Sequence, residues 1–176
     1  MFYLTGNKKK FEEAKILLPN IEQKKIDLPE IQSLDLEEII DAKIDEAIKH
    51  TDSPVIVEDV SFEIHALHKF PGPLIKWMLK SMTLDEIYEL IKPYENKNVT
   101  IKIMVGYANK NERKKILASV NGTIVAPRGS RAFGWCALFQ QNGETKTYGE
   151  MTDEERAKKS MRGIALKELK NYLENK

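Results

Sequence analysis

The residues best suited to chemistry begin with two adjacent carboxylates. In Pro54-Val55-Ile56-Val57-Glu58-Asp59-Val60-Ser61-Phe62-Glu63-Ile64, three β-branched apolar residues run straight into Glu58 and Asp59. An unbroken apolar run of this kind reads as a buried central strand, here one that delivers acid groups at its C-terminal end. A buried carboxylate costs several kcal/mol unless it is paired or binds a metal. Ligands of open α/β sheets bind outside strand ends, so the acid pair is a site candidate. Side chains alternate along a strand, so only one of the two can face a given ligand. Asp59 is assigned that role. The competing reading has both acids capping a helix or pairing with lysines at the surface.

A second candidate lies near the N-terminus, where Thr5-Gly6-Asn7 separates a short strand from a helix that opens on Lys8, Lys9 and Lys10. Backbone N–H groups at a helix start form an anion seat. Three lysines oppose the helix dipole there, which suggests a phosphate partner rather than local stabilisation; a solvated basic run is the plainer alternative. Lys43 falls inside the apolar stripe of a later helix, where a lysine either snorkels or meets an anion in a cleft. Lys76 and Trp77 follow the rigid turn Pro71-Gly72-Pro73. In the last third, Phe133-Gly134-Trp135 could stack on a flat ligand, and Arg162 at a helix start could reach an anion or a base edge; core packing is the alternative for each. His65 and His68 are three apart with no further ligand set around them, and Cys136 in apolar surroundings reads as a packing residue rather than a nucleophile.

The elements that must position these groups follow from the apolar spacing. Phe2–Leu4 is a strand. Phe11, Ala14, Leu17, Leu18 and Ile21 carry helical spacing, with Pro19 ending the helix before Ile21. Residues 26–30 are a short extended piece stopped by Pro29, with Glu30 on the loop after it. A helix from Asp35 to His50 puts Leu36, Ile39, Ile40, Ile44, Ala47 and Ile48 on one face. Thr83 with Glu86, and Thr152 with Glu155, are capping boxes. Val99–Tyr107 alternates as a strand with one buried face. Ile116 to Val125 reads as a hairpin turning at Asn121-Gly122. The final helix buries Ala165, Leu166, Leu169, Tyr172 and Leu173. Sequence-adjacent strands here are antiparallel, so the expected sheet is mixed.

The chain of 176 residues suits one domain, residues 1–176, able to bury about two-thirds of its unfolded surface. Charged residues make up 31% yet nearly cancel, at +1 overall, so any anion site must be local. That balance argues against a nucleic-acid partner and against an anionic membrane surface. No stretch approaches the roughly 20 apolar residues of a membrane span. The single cysteine, Cys136, excludes an internal disulfide and a cysteine-rich zinc site. With strand-like residues at the start leaving no room for a signal peptide, a cytoplasmic location is expected.

TGNKKKFEE, KIDLPEIQ, VEDVSFEIHAL, PGPLIKW, VAPRG, FGW, TYGEM and SxRGxAL stand in the order and spacing of the inosine triphosphate pyrophosphatase family, which this chain resembles from Leu4 to about Leu169. The resemblance implies an elongated, two-lobed mixed α/β fold with a central nucleotide cleft, a homodimer, and magnesium-dependent hydrolysis of non-standard purine nucleoside triphosphates to nucleoside monophosphate and pyrophosphate. By similarity Thr5, Gly6, Asn7, Lys8 and Lys10 cradle the triphosphate, with Lys43 and Lys76 adding charge. Glu30 and Asp59 match the magnesium ligands, Asp59 doubles as the base for the attacking water, and Lys10 and Lys43 assist catalysis. Glu58 supports the site from behind. Phe133, Gly134, Trp135, Cys136, Arg156, Met161 and Arg162 match the base end. There the family's FGWDP is Phe133-Gly134-Trp135-Cys136-Ala137, its SHR is Ser160-Met161-Arg162, and its lysine four residues before that serine is Arg156. A thiol and a thioether are weak substitutes for aspartate and histidine. The expectation is retained hydrolysis with an altered or relaxed choice of base. The alternative is a nucleotide-binding protein with little or no turnover.

Overall fold

The sheet is built outward from one strand. In the computed structural model, which describes residues 1–26 and 28–175, β3 (Val55–Ile64) pairs antiparallel with β5 (Asn98–Ala108) along its whole length, from Val55↔Ala108 to Ile64↔Val99. Its other edge is covered only at the two ends. β1 (Phe2–Leu4) lies parallel to it at Phe2↔Val55 and Tyr3↔Ile56, and β4 (Pro71–Gly72) is antiparallel at Phe62↔Gly72 and Glu63↔Pro71. With β2 (Glu22–Lys24), β6 (Arg113–Ile124) and β7 (Phe139–Gln141), the main order is β2-β1-β3-β5-β6-β7, a seven-stranded mixed sheet. Glu58 and Asp59 therefore sit mid-strand, not at the strand's end. Pairing with β5 carries β3 on past the point where β1 stops, and the acids emerge in the gap that β1 leaves.

Alternation on β3 divides the interior in two. Val55 and Val57 pack with Leu36, Ile40, Ile44 and Ala47 of α2 (Leu36–Ala47). Ile56, Val60, Phe62 and Ile64 join a larger core with α1 (Lys8–Leu17), α3 (Ile75–Ser81), α4 (Leu84–Ile91) and α6 (Met161–Glu174). Each fully buried isoleucine or leucine contributes roughly 1.5–3 kcal/mol. β5 is buried on both faces from Ile103 to Ala108 rather than on one, because α2 covers the second face. A Cβ on Gly106 would meet Ile40 Cγ2 at 2.7 Å and Ile44 Cδ1 at 2.8 Å, so glycine is what lets α2 approach.

Two expectations need correction, at the turn and at the end of α2. The chain does not turn at Asn121-Gly122. β6 runs straight through, and the reversal lies at Asn109–Glu112, closed by the Asn109 N–H donating to the Glu112 carbonyl at 3.0 Å. Gly122 serves close approach instead, since a Cβ there would lie 2.3 Å from the Gln140 carbonyl oxygen. The strand that pairs with β1 is β2, ahead of the extended piece expected at 26–30, whose residues 26 and 28–30 belong to no strand; Asp27 lies outside the described residues. α2 ends at Ala47, leaving Ile48 exposed. Both capping boxes form, at Thr83/Glu86 on α4 and Thr152/Glu155 on α5 (Asp153–Lys159). α5 stops at Ser160, which also caps α6 with its hydroxyl. A Cβ on Gly163 would lie 2.0 Å from the Ala157 carbonyl oxygen, so glycine allows the two helices to abut and brings Arg156 and Arg162 together.

Candidate active site

Beside the uncovered stretch of the β3 edge lies a cavity of about 640 Å³ whose walls come from the β1–α1 loop, α1, α2, α3, residues 133–136 and the α5–α6 junction. It gathers every residue the sequence assigned to the site except Lys8, which does not line it. At one end Asn7 caps α1: its side-chain oxygen accepts from the Lys9 and Lys10 N–H groups at 3.0 and 3.3 Å, while its own N–H donates to the Thr5 hydroxyl at 3.1 Å. The first-turn N–H groups at Lys9 and Lys10 are thus occupied by Asn7 instead of being free. Gly6 is needed neither for a left-handed backbone nor for packing; a Cβ there would meet nothing within 4 Å, so the space before it is open.

Three lysines meet three carboxylates at this end. Lys10 Nζ lies 3.0 Å from Glu58 Oε1. Lys43 Nζ donates to Asp59 Oδ2 at 2.5 Å and to the Glu58 carbonyl at 3.2 Å, so the inward lysine meets an anion rather than snorkelling. Lys76 pairs with Glu30. Burial opposes ionisation of Glu30 less than the Lys76 hydrogen bond favours it, and the charges of Lys76, Lys43 and Lys10 add to hold its carboxyl below the usual range. That Lys43 acts on Glu30 while bonded to Asp59 places the two proposed ligands in one electrostatic neighbourhood. No group of three or more His, Cys, Asp or Glu side chains suited to a metal occurs among the described residues. Two hard carboxylates without a third suit magnesium, which keeps waters and phosphate oxygens in its shell, better than a cation that needs an all-protein cage.

The other end is sealed by a buried ion network. Arg162 is bidentate to Glu58, Nε and Nη2 donating at 2.9 Å each, and its Nη1 donates to Glu13 at 2.5 Å. Arg156 donates from Nε to Glu13 at 2.7 Å, from Nη1 to the Tyr148 and Met151 carbonyls at 3.1 Å, and to Asp153. Tyr3 donates to Glu58 at 2.5 Å. Burial pushes the Glu58 pKa up, but the charges of Arg162 and Lys10 and the bonds from Arg162 and Tyr3 outweigh it and hold the carboxyl far below its ordinary value. Arg162 therefore faces carboxylates, not an open anion site. Trp135 stands in an aromatic cluster with Phe62, Phe139 and Tyr148, at centroid distances of 5.1, 5.8 and 6.0 Å. Phe133 remains the half-buried ring, beside Gly134, whose φ of +53° is left-handed and requires glycine. Burial pushes the Cys136 thiol up to about 12, so it stays neutral, and Met161 is buried as well.

Glu13, Tyr148 and Lys80 line the cavity without having been singled out in the sequence. Glu13 carried a signal. It lies one turn before Leu17, at the border of the apolar stripe of α1, a weaker form of the anomaly that marked Lys43. Lys80, one turn after Lys76, has its Nζ 4.6 Å from the Trp77 ring centroid.

The Ham1 family model matches residues 1–172. The chain belongs to the Ham1 family. A Schizosaccharomyces pombe relative named inosine triphosphate pyrophosphatase is 36% identical over 181 residues, covering 99% of this chain and 95% of that protein. Two solved Ham1 structures share the fold: the Coxiella burnetii protein at a TM-score of 0.83 and 24% identity, and the Staphylococcus aureus protein at 0.80 and 20%, each covering 99% of this chain and 98% of the other. In this Ham1 chain, none of the described helices is long and apolar enough to cross a membrane.

Proposed function

We propose that this Ham1 protein is a magnesium-dependent nucleoside triphosphate pyrophosphatase that cleaves non-standard purine nucleoside triphosphates, such as those of inosine and xanthosine, to nucleoside monophosphate and pyrophosphate, with a relaxed choice of base. One observation carries the reading. Six cationic and four anionic side chains line a single cavity, an excess of two positive charges. A triphosphate with one bound magnesium carries a net charge of about −2, the complement of that excess. The naming of relatives as inosine triphosphate pyrophosphatases supports the substrate class.

Glu30 and Asp59 would hold the metal together with phosphate oxygens. When bound, magnesium supplies charge neutralisation on the phosphates and acidifies a coordinated water. Asp59, oriented by Lys43 on Oδ2 and by the Val60 N–H on Oδ1, accepts the proton of the water that attacks the α-phosphorus. As the new P–O bond forms, the bond from the α-phosphorus to the bridging oxygen breaks, and Lys10 and Lys76 stabilise the charge on departing pyrophosphate. At the base end Phe133 offers a stacking face. Cys136 and Met161 offer only sulfur, and Arg156 and Arg162 are engaged by carboxylates, so discrimination by hydrogen bonds is reduced. The assembly proposed is a homodimer and the compartment the cytoplasm; light scattering at about twice 20.2 kDa checks the first.

The test is pyrophosphate release from a panel of inosine, xanthosine, guanosine, adenosine and pyrimidine triphosphates, with and without magnesium. The expected result is magnesium-dependent release from several purine members at comparable rates. A sharp preference for inosine triphosphate would remove the relaxed-base reading. Binding without release from any member would leave a nucleotide-binding protein.

A further inference from the structure

Glu58 serves both ends of the cavity, and its acceptor positions are full. Oε1 accepts from Arg162 Nη2 at 2.9 Å and lies 3.0 Å from Lys10 Nζ; Oε2 accepts from Arg162 Nε at 2.9 Å and from the Tyr3 hydroxyl at 2.5 Å. A carboxylate offers about four lone-pair positions, so these donors occupy all of them. Tyr3 arrives there through the sheet. It stands beside Ile56 in the parallel β1–β3 pairing, Ile56 and Glu58 point to the same face of β3, and the phenol spans the remaining distance along the strand. The partners of Glu58 differ in what else they can reach. Arg162 is buried and also bonded to Glu13, and Tyr3 is fully buried and does not line the cavity, whereas Lys10 lines it with its side chain 24% exposed. Lys10 is therefore the partner that can leave Glu58 for an anion in the cavity.

We propose that Tyr3 is a positioning residue for the phosphate seat: by donating to Glu58 it lets Lys10 turn to a phosphate without leaving the buried carboxylate short of partners. This rests on the nucleotide reading above and extends it to a residue that touches no ligand. The direction of the effect follows from the partners that remain. In the free protein, loss of the hydroxyl leaves Glu58 with Arg162 and Lys10; with Lys10 on a phosphate, it leaves Arg162 alone. A buried carboxylate short of donors is costly, so the hydroxyl matters more in the bound state than in the free one. Removing it holds Lys10 back on Glu58 and weakens any ligand that draws Lys10 away, with or without a base.

The test is Tyr3→Phe, which keeps the ring that fills the core and removes one oxygen. Titration calorimetry in magnesium is expected to show binding of inorganic tripolyphosphate weakened about three- to tenfold relative to wild type. The α,β-methylene analogue of inosine triphosphate, which the proposed reaction cannot cleave, should weaken by the same factor within about twofold. In a Lys10→Met background, Tyr3→Phe should leave tripolyphosphate affinity within about twofold, since Glu58 then keeps the same partners in both states. Unchanged tripolyphosphate affinity in Tyr3→Phe overturns the proposal, as does an equal loss in the Lys10→Met background, which marks a general packing effect. A loss confined to the analogue overturns it too. Independently of any variant, a crystal structure of wild type with tripolyphosphate should show Lys10 on a phosphate oxygen and off Glu58, with the Tyr3 bond kept; Lys10 still on Glu58 overturns the proposal. A wild type that releases no pyrophosphate from inosine triphosphate, while Tyr3→Phe weakens tripolyphosphate as expected, would end the enzyme reading and leave this one intact; release by wild type with no effect of Tyr3→Phe on binding would do the opposite.

Discussion

At the phosphate end, the Lys76 and Glu30 side chains are 52% and 56% exposed; at the base end, Arg162 and Glu58 are 6% and 1% exposed. The two pairs have the same chemistry and different energetics. An exposed pair is screened by water and contributes within about 1 kcal/mol, so it can exchange its partner for a phosphate or a metal at little cost. A buried pair has lost its hydration, and removing one partner strands a charge in an apolar setting. At the phosphate end Lys76 and Glu30 thus rest on each other until a ligand arrives, while Lys43 and Asp59, at 11% and 24% exposed, are intermediate. The base end is a fixed frame whose charges are already committed. Glu58 joins the two, since Lys10 and Arg162 share its carboxylate.

The comparison can be broken most sharply at Asp59. Asp59→Asn should lower pyrophosphate release about 10³-fold while thermal stability changes little, because its side chain is partly exposed; this is read from single-turnover rates and a melting curve. Arg162→Met should do the reverse in kind. It takes the bidentate partner from Glu58 and one of two guanidinium partners from Glu13, costs roughly 3–5 kcal/mol, and lowers the melting temperature by about 10 °C, as calorimetry would register. A melting temperature unchanged by Arg162→Met would mean that the base end is no more rigid than the phosphate end.

Acid titration sharpens the contrast. Because the folded pKa of Glu58 is depressed, its contribution to stability is complete above the unfolded value of about 4.5 and is lost as the pH falls from there towards the folded value. Denaturant unfolding of wild type and Glu58→Gln should therefore differ most near neutral pH and converge below pH 4.5. The smallest effect is expected from Lys76→Ala, which should change stability by less than about 1 kcal/mol and raise KM for the nucleotide several-fold with kcat nearly unchanged. A large loss of stability would show that the exposed pair is structural after all.

Much of the phosphate end was legible because exposed chemistry leaves anomalies in a local pattern. Lysines stood where a helix dipole disfavours them, Lys43 interrupted an apolar stripe, and two acids ended an apolar run. The hairpin at Asn121-Gly122 failed for a related reason. Turn propensity is local, and the demand that made residue 122 a glycine, the approach of Phe139 and Gln140, comes from another strand. The mid-strand position of Glu58 and Asp59 likewise depended on how far β5 extends beyond β1.

The sequence by itself determined the family membership, the main helices and strands, and most of the polar residues that gather in the cavity, since each is written in short motifs or in periodicity. Only the tertiary structure decided which charges are free and which are locked. Arg156 and Arg162 look available as letters, yet Glu13, more than 140 positions away from each, pairs with both, and Glu58 completes the pairing of Arg162. Pairing and desolvation depend on distance in space, and for residues this far apart along the chain only the packing of α1 against α5 and α6 sets that distance.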